Sequence, residues 1–284
     1  EFASRLRNGD YLTAPGVFDL VSARIADRMG FPALYMTGYG VVASSFGLPD
    51  AGLASYTEMV DRVKTIAAGT LTPLIADGDT GYGGLLNVQR TVRGYEQAGA
   101  VAIQLEDQKI PKKCGHTPNR RVIPVDDMVA KIRVAVAARE SENFLVIART
   151  DARTQYGLAE AIGRGQAFAK AGADVVFVEA PESVDEMIEI CREIDGPLMA
   201  NMVNGGKTPL LSAEELKDLG YQIVIFPGTA FLAAGSAVQS VYQHLKATGS
   251  SRGLPTPLYD FEEFNRLMGF EEVWAFEKKW TDPS

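Results

Sequence analysis

The chain reads as an α/β protein, a closed (β/α)8 TIM barrel with an extra C-terminal helical segment. Short β-branched or apolar runs alternate strictly with longer amphipathic stretches, which is the pattern of parallel strands joined by crossover helices. The runs number eight, enough to close the sheet on itself. A segment also repeats, since Gln97-Ala98-Gly99-Ala100 before one run is echoed by Lys170-Ala171-Gly172-Ala173 before another. Barrels of this length form one domain, so residues 1–284 are expected to be a single barrel domain, with 229–284 as its C-terminal helical segment.

Strands are expected at 11–14, 33–36, 73–76, 101–105, 144–148, 174–178, 197–200 and 222–226. The amphipathic stretches between them predict helices at 17–29, 56–68, 87–98, 125–139, 158–171, 183–194 and 212–219. Gly99 and Gly172 suit helix C-caps. Glu106 falls seven residues after Gly99 and Glu179 seven after Gly172, so two equivalent units present a glutamate at the C-terminal end of a strand. In barrel enzymes that end carries the active site. After the eighth strand come an Ala-rich stretch, 229–245, a loop, 249–255, and an aromatic tail, 261–280. One helix closes a barrel, so the tail buries its aromatic residues on another subunit or back on its own barrel. Glu1 and Phe2 are expected to carry no structural weight.

Acidic residues exceed basic ones, 36 against 28, which argues against a nucleic-acid partner and favours a small molecule. No apolar run approaches the ~20 residues of a membrane span, and the start lacks a signal peptide's pattern. A soluble cytoplasmic protein with no membrane partner is expected. Two cysteines are too few for a disulfide framework. Cys191 lies in a helical pattern and reads as a small core residue.

Cys114 is different. It stands in Lys112-Lys113-Cys114-Gly115-His116, where cations and an imidazole can bring a thiol's pKa toward the working range. Gly115 offers the backbone freedom of a mobile loop. A solvated basic loop reads the same way.

The densest polar cluster is Asp77-Gly78-Asp79-Thr80-Gly81 after the third strand. Alternation along an extended chain puts Asp77 and Asp79 on one face, where they repel unless a cation sits between them. Oxygen donors without histidine or thiolate suit Mg2+, or Mn2+, better than zinc. Glu106 after strand four and Asp50 after strand two add carboxylates, although each alone also reads as a helix N-cap or loop acid. Arg149 after strand five can grip a substrate carboxylate, or tie the rim together through Glu179 or Asp151. Asn201 and Thr208 supply further hydrogen bonds. Thr37-Gly38-Tyr39-Gly40 offers backbone amides to a carboxylate, or forms a tight βα turn.

Together, the Lys-Lys-Cys-Gly-His loop, Asp77-Gly78-Asp79-Thr80-Gly81, Leu105-Glu106-Asp107-Gln108 and Ala148-Arg149-Thr150-Asp151-Ala152 resemble the isocitrate lyase and phosphoenolpyruvate mutase superfamily. The likeness runs from about Ala14 to beyond Pro227. It implies a barrel, a homotetramer with exchanged C-terminal helices, and Mg2+ held by Asp77 and Asp79 with Asp50 and Glu106 helping. The loop cysteine implies the carbon–carbon lyase branch, and the short chain resembles 2-methylisocitrate, 2,3-dimethylmalate and petal death protein-like lyases.

Tyr39 stands where methylisocitrate lyases carry a small residue, which favours a smaller 2-hydroxy dicarboxylate. Pro227 stands where the family's oxaloacetate hydrolases tend to carry Ser. The expected reaction is retro-aldol cleavage of a substituted malate. Cys114 donates a proton, Lys113 and His116 tune the thiol, and Arg149, His116 and Asn201 hold the developing charge. Glu179 orients His116 or the substrate. An oxaloacetate acetylhydrolase is the alternative, and a non-catalytic binding barrel a remote one.

Overall fold

The computed structural model describes residues 2–115, 117 and 119–281. Strands β1 (Leu12–Val17), β2 (Leu34–Met36), β3 (Leu74–Asp77), β4 (Ala102–Glu106), β5 (Leu145–Thr150), β6 (Val175–Val178), β7 (Leu198–Asn201) and β8 (Ile223–Phe226) pair in parallel, each with the next, and β1 pairs with β8 to close the barrel. Helices α1 (Phe2–Arg7), α2 (Leu20–Arg28), α3 (Gly38–Phe46), α4 (Tyr56–Ala68), α5 (Leu85–Gln97), α6 (Val125–Ala138), α7 (Arg153–Tyr156), α8 (Leu158–Lys170), α9 (Val184–Glu193) and α10 (Ala213–Leu219) interleave with the strands. They are followed by α11 (Thr229–Thr248), α12 (Phe261–Leu267) and α13 (Phe270–Trp280).

The period-2 alternation of a strand sorts the side chains. Outward residues such as Leu34, Ile103, Val146 and Val176 pack with the helices in the larger apolar cluster. Inward residues form a second one, including Leu12, Tyr35, Ile75, Ile147, Phe177, Met199 and Ile225. At the C-terminal ends of five of these strands or just past them, the inward positions are polar: Asp77, Glu106 (with Gln104 one inward step before it), Arg149, Glu179 and Asn201.

Several predicted boundaries shift for identifiable reasons. Asp77, Glu106, Arg149 and Asn201 belong to the strands they were expected to follow, because the ladder continues through them. Val17 stays in β1, and α2 begins at Leu20 because the Asp19 side chain accepts from Ser22 N at 2.7 Å. Capping boxes at Ser55/Glu58 and Ser212/Glu215 start α4 and α10.

Phe2 carries weight after all. It is 3% exposed and, with Ala3 and Leu6 of α1, joins the inward cluster. Helix α3 was also unforeseen, since Gly-Tyr-Gly-Val-Val-Ala-Ser-Ser-Phe shows no apolar period, and its ends are set by local chemistry. Thr37 accepts from Gly40 N, and Gly47 ends it at φ 63°, the left-handed region glycine tolerates. α3 separates Asp50 from β2, so that carboxylate does not lie just beyond the strand end.

The chain divides into two compact units, 1–231 and 232–284. The second leaves Phe261, Phe276 and Trp280 more than half exposed. Among the described residues, no helix is long and apolar enough to cross a membrane.

Candidate active site

The site is the set of polar side chains that the strands carry at their C-terminal ends. Asp77 ends β3, and its Oδ1 accepts from the Asp79 amide at 3.0 Å. Asp79 stands at φ 48°, so a left-handed turn and not strand alternation brings the two carboxylates together. Gly38 packs on Asp77: a Cβ there would lie 2.6 Å from Oδ2. Behind them Tyr35 donates its hydroxyl to Gln104 Oε1 at 2.9 Å, and Gln104 Nε2 lies 3.5 Å from Asp77 Oδ1. Tyr95 donates to the Asp77 carbonyl at 3.1 Å.

Burial pushes the Asp79 carboxyl up to about 6; Lys112 opposes the rise, while Asp77 and Asp50 add to it. Burial likewise holds Glu106 well above the usual carboxylate range, against the pull of Arg149. Glu106 Oε1 is buried and has no hydrogen-bond partner among the described residues.

Across the barrel, Arg149 grips Asp151 with two bonds of 2.9 and 3.0 Å and reaches Glu179 Oε2 at 3.3 Å and Glu106 Oε2 at 3.6 Å. Its cation lies 5.2 Å above the Phe177 ring. Asn201 Nδ2 donates to Glu179 at 3.1 Å. Asn201 Oδ1 and Thr208 Oγ1 are buried without hydrogen-bond partners among the described residues, so both can serve a ligand. Beneath, Asp107 accepts from Thr150, Arg164 and the Asp151 amide and ties β4 to β5.

The loop after β4 lies over this cluster. Lys112 is ion-paired with Asp50 and Asp79 and feels Glu106 and Asp77 as well. Cys114 N donates to the Asp50 carbonyl at 3.1 Å. Gln108 clamps the Lys113 backbone, accepting from its N–H at 3.0 Å and donating to its carbonyl at 2.8 Å. Gly115 packs on the arginine–glutamate pair, and a Cβ there would sit 2.3 Å from Arg149 Nη2. Close packing, rather than backbone freedom, requires this glycine. His116 lies outside the described residues.

The structure thus gathers Asp50, Asp77, Asp79, Glu106, Arg149, Glu179, Asn201, Cys114 and Gly115. Thr37 is buried as the cap of α3, whose first amides face this end. Tyr39 is 40% exposed with its ring 5.2 Å from that of Phe231. Of the two lysines, Lys112 enters the acid cluster, whereas Lys113 is held through its backbone; the pentapeptide alone offers no means of choosing between them. Tyr35 and Gln104 were also missed, although each lies one inward step before a site position.

No three His, Cys, Asp or Glu side chains among the described residues stand close enough together to hold a metal ion. The donors nevertheless fit a hard divalent cation: four carboxylates surround one ammonium, and Glu106 Oε1 lacks a partner.

The family model for phosphoenolpyruvate phosphomutase matches residues 2–246. The chain belongs to the phosphoenolpyruvate mutase and isocitrate lyase superfamily. Within this superfamily, it is 46% identical over 270 residues to a 2,3-dimethylmalate lyase of Eubacterium barkeri, covering 95% of this chain and 93% of the relative. A solved oxaloacetate acetylhydrolase with 3,3-difluorooxalacetate superposes with TM-score 0.93 at 34% identity, covering 99% and 96%. A superfamily phosphonopyruvate hydrolase solved with oxalate and Mg2+ superposes with TM-score 0.87 at 31% identity, covering 99% and 98%.

Proposed function

We propose that this protein is a divalent-cation-dependent carbon–carbon lyase that cleaves a substituted malate to a 2-oxo acid such as pyruvate and a second carboxylate. The seat of Cys114 carries the reading: its amide is bonded to Asp50, its neighbour Lys112 is in the acid cluster, and Gly115 lies against Arg149 and Glu179. Cys114 thus belongs to a segment that runs from the acid cluster to an anion-gripping arginine.

Asp50, Asp77, Asp79 and Glu106 would hold Mg2+, or Mn2+, which when bound supplies Lewis-acid polarisation of the substrate's 2-hydroxyl. Arg149, Asn201 and the first amides of α3 grip the carboxylates. The hydroxyl passes its proton to a base, the C2–C3 bond breaks with its electron pair passing to C3, and C2 becomes the carbonyl. Arg149 and Asn201 stabilise the resulting enediolate in a site closed by the loop. The Cys114 thiol then protonates C3. Lys113 and His116 are assigned the tuning of that thiol, and Glu179, bonded to Asn201 and Arg149, fixes both donors.

Thr208 adds a hydroxyl and Tyr39 limits the room beside the substrate, which favours small alkyl substituents such as those of 2,3-dimethylmalate. A homotetramer with exchanged C-terminal helices would cover the exposed aromatic residues of 232–284. A reducing cytoplasmic setting suits the two cysteines.

The likeness to oxaloacetate acetylhydrolase favours a second reading, hydrolysis of oxaloacetate to oxalate and acetate. Pro227, just after β8, lacks the hydroxyl that the family's hydrolases tend to carry there. Assay of 2,3-dimethylmalate, 2-alkylmalates, 2-methylisocitrate, isocitrate and oxaloacetate with Mg2+ separates the two. The lyase reading expects a 2-oxo acid from an alkylmalate, abolished by chelation; oxalate and acetate as the only products would replace it.

A further inference from the structure

Lys112 is 5% exposed, and its ammonium lies between Asp50 and Asp79 with Asp77 and Glu106 close by. Four carboxylates packed this closely repel one another; Lys112 pairs with Asp50 and Asp79, while Arg149 reaches Glu106 from the other side. Lys112 reaches the cluster from a loop that is also held by Cys114 N on the Asp50 carbonyl, by Gln108 on the Lys113 backbone and by Gly115 packed on Arg149 and Glu179. A divalent ion taking the Asp50 and Asp79 oxygens would stand at contact distance from the ammonium, an arrangement that strong like-charge repulsion forbids.

We propose that Lys112 is a built-in counter-ion that the divalent cation displaces, so that metal entry lifts the 112–115 segment from the acid cluster. The inference rests on the acid cluster being a cation site, and adds that the site is filled in exchange for a side chain. In the metal-free protein Lys112 offsets the repulsion and holds the loop, and with it Cys114, down on Asp50. When the cation enters, Lys112 leaves the carboxylates and the loop is released. The displaced ammonium is then available to a substrate carboxylate. Lys112 acts here as a positioning residue for the loop.

Mn2+ titration without substrate, followed by the electron paramagnetic resonance signal of the unbound ion, tests the exchange in wild type, Lys112→Met and Lys112→Arg. Thermal unfolding of each verifies folding. Removing the competing cation should tighten Mn2+ binding about tenfold or more in Lys112→Met, while Lys112→Arg stays within about threefold of wild type. Equal or weaker binding by Lys112→Met overturns the proposal. Alkylation of Cys114 by iodoacetamide, read on its own peptide by mass spectrometry, supplies an arm that needs no variant. Saturating Mn2+ should speed labelling of the wild type, and an unchanged rate overturns the coupling to the loop. If no Mn2+ binds to any of the proteins, the cation-site reading itself fails, and the exchange with it.

Discussion

At the N-terminal end of the barrel, Phe2 and Leu6 share an apolar cluster with Leu12, Leu145 and Val175. At the other end, reached along the same strands, the inward positions are Asp77, Glu106, Arg149, Glu179 and Asn201, all buried. The first end is held by area removed from water, which is non-directional and tolerant of exchange. The second holds ionisable groups that are stable there only while each keeps its partner. One closed sheet therefore has an apolar, stabilising end and an end of buried, partnered charges.

The two ends should therefore fail differently. The largest effect is expected from Arg149→Met, which leaves Asp151, Glu179 and Glu106 without their shared cation. Urea unfolding should show a loss of about 3–5 kcal/mol, with turnover abolished. Phe2→Ala should remove about 3 kcal/mol by the same measurement and leave turnover within about twofold. A loss of turnover comparable to that of Arg149→Met would break the contrast.

Gly115→Ala should do the opposite. A methyl group 2.3 Å from Arg149 Nη2 blocks the loop's seat, so turnover should fall about a hundredfold, ~2.7 kcal/mol in barrier, with stability changed by less than about 0.5 kcal/mol.

The smallest effect lies away from both ends. Burial pushes the Cys191 thiol up from 9.0 to about 11. The folded protein thus keeps a proton that the unfolded chain releases, and this contribution is present below pH 9.0 and lost as pH rises toward 11. Urea midpoints at pH 8 and 10.5 should draw slightly closer together in Cys191→Ala.

Much of this molecule could be read directly from its sequence, for physical reasons. The eight strands announce themselves because a buried parallel strand must be apolar on both faces, as in Val146-Ile147-Ala148. Asp77, Glu106 and Arg149 stood out because a charge directly after such a run breaks its apolar pattern at the end of the strand. Other features depended on contacts between distant residues. Helix α3 has no apolar period, and its caps declare it only once Thr37 and Gly47 are seen in place. Lys112 and Lys113 are chemically identical, and only the folded loop shows which one turns inward: Lys112 pairs with Asp50 and Asp79 while Gln108 holds the Lys113 backbone. Tyr35 and Gln104 looked like ordinary strand residues, although the period-2 rule applied from Thr37 and Glu106 points to them.

In the proposed reaction Cys114 delivers the proton that completes carbon–carbon cleavage. Turnover of 2,3-dimethylmalate by Cys114→Ser with Mg2+, set beside Mn2+ binding by the same variant, tests it most directly. The prediction is a fall in turnover of about a thousandfold or more with Mn2+ affinity retained, since the thiol is not a ligand in this scheme. Wild-type turnover in Cys114→Ser would contradict it.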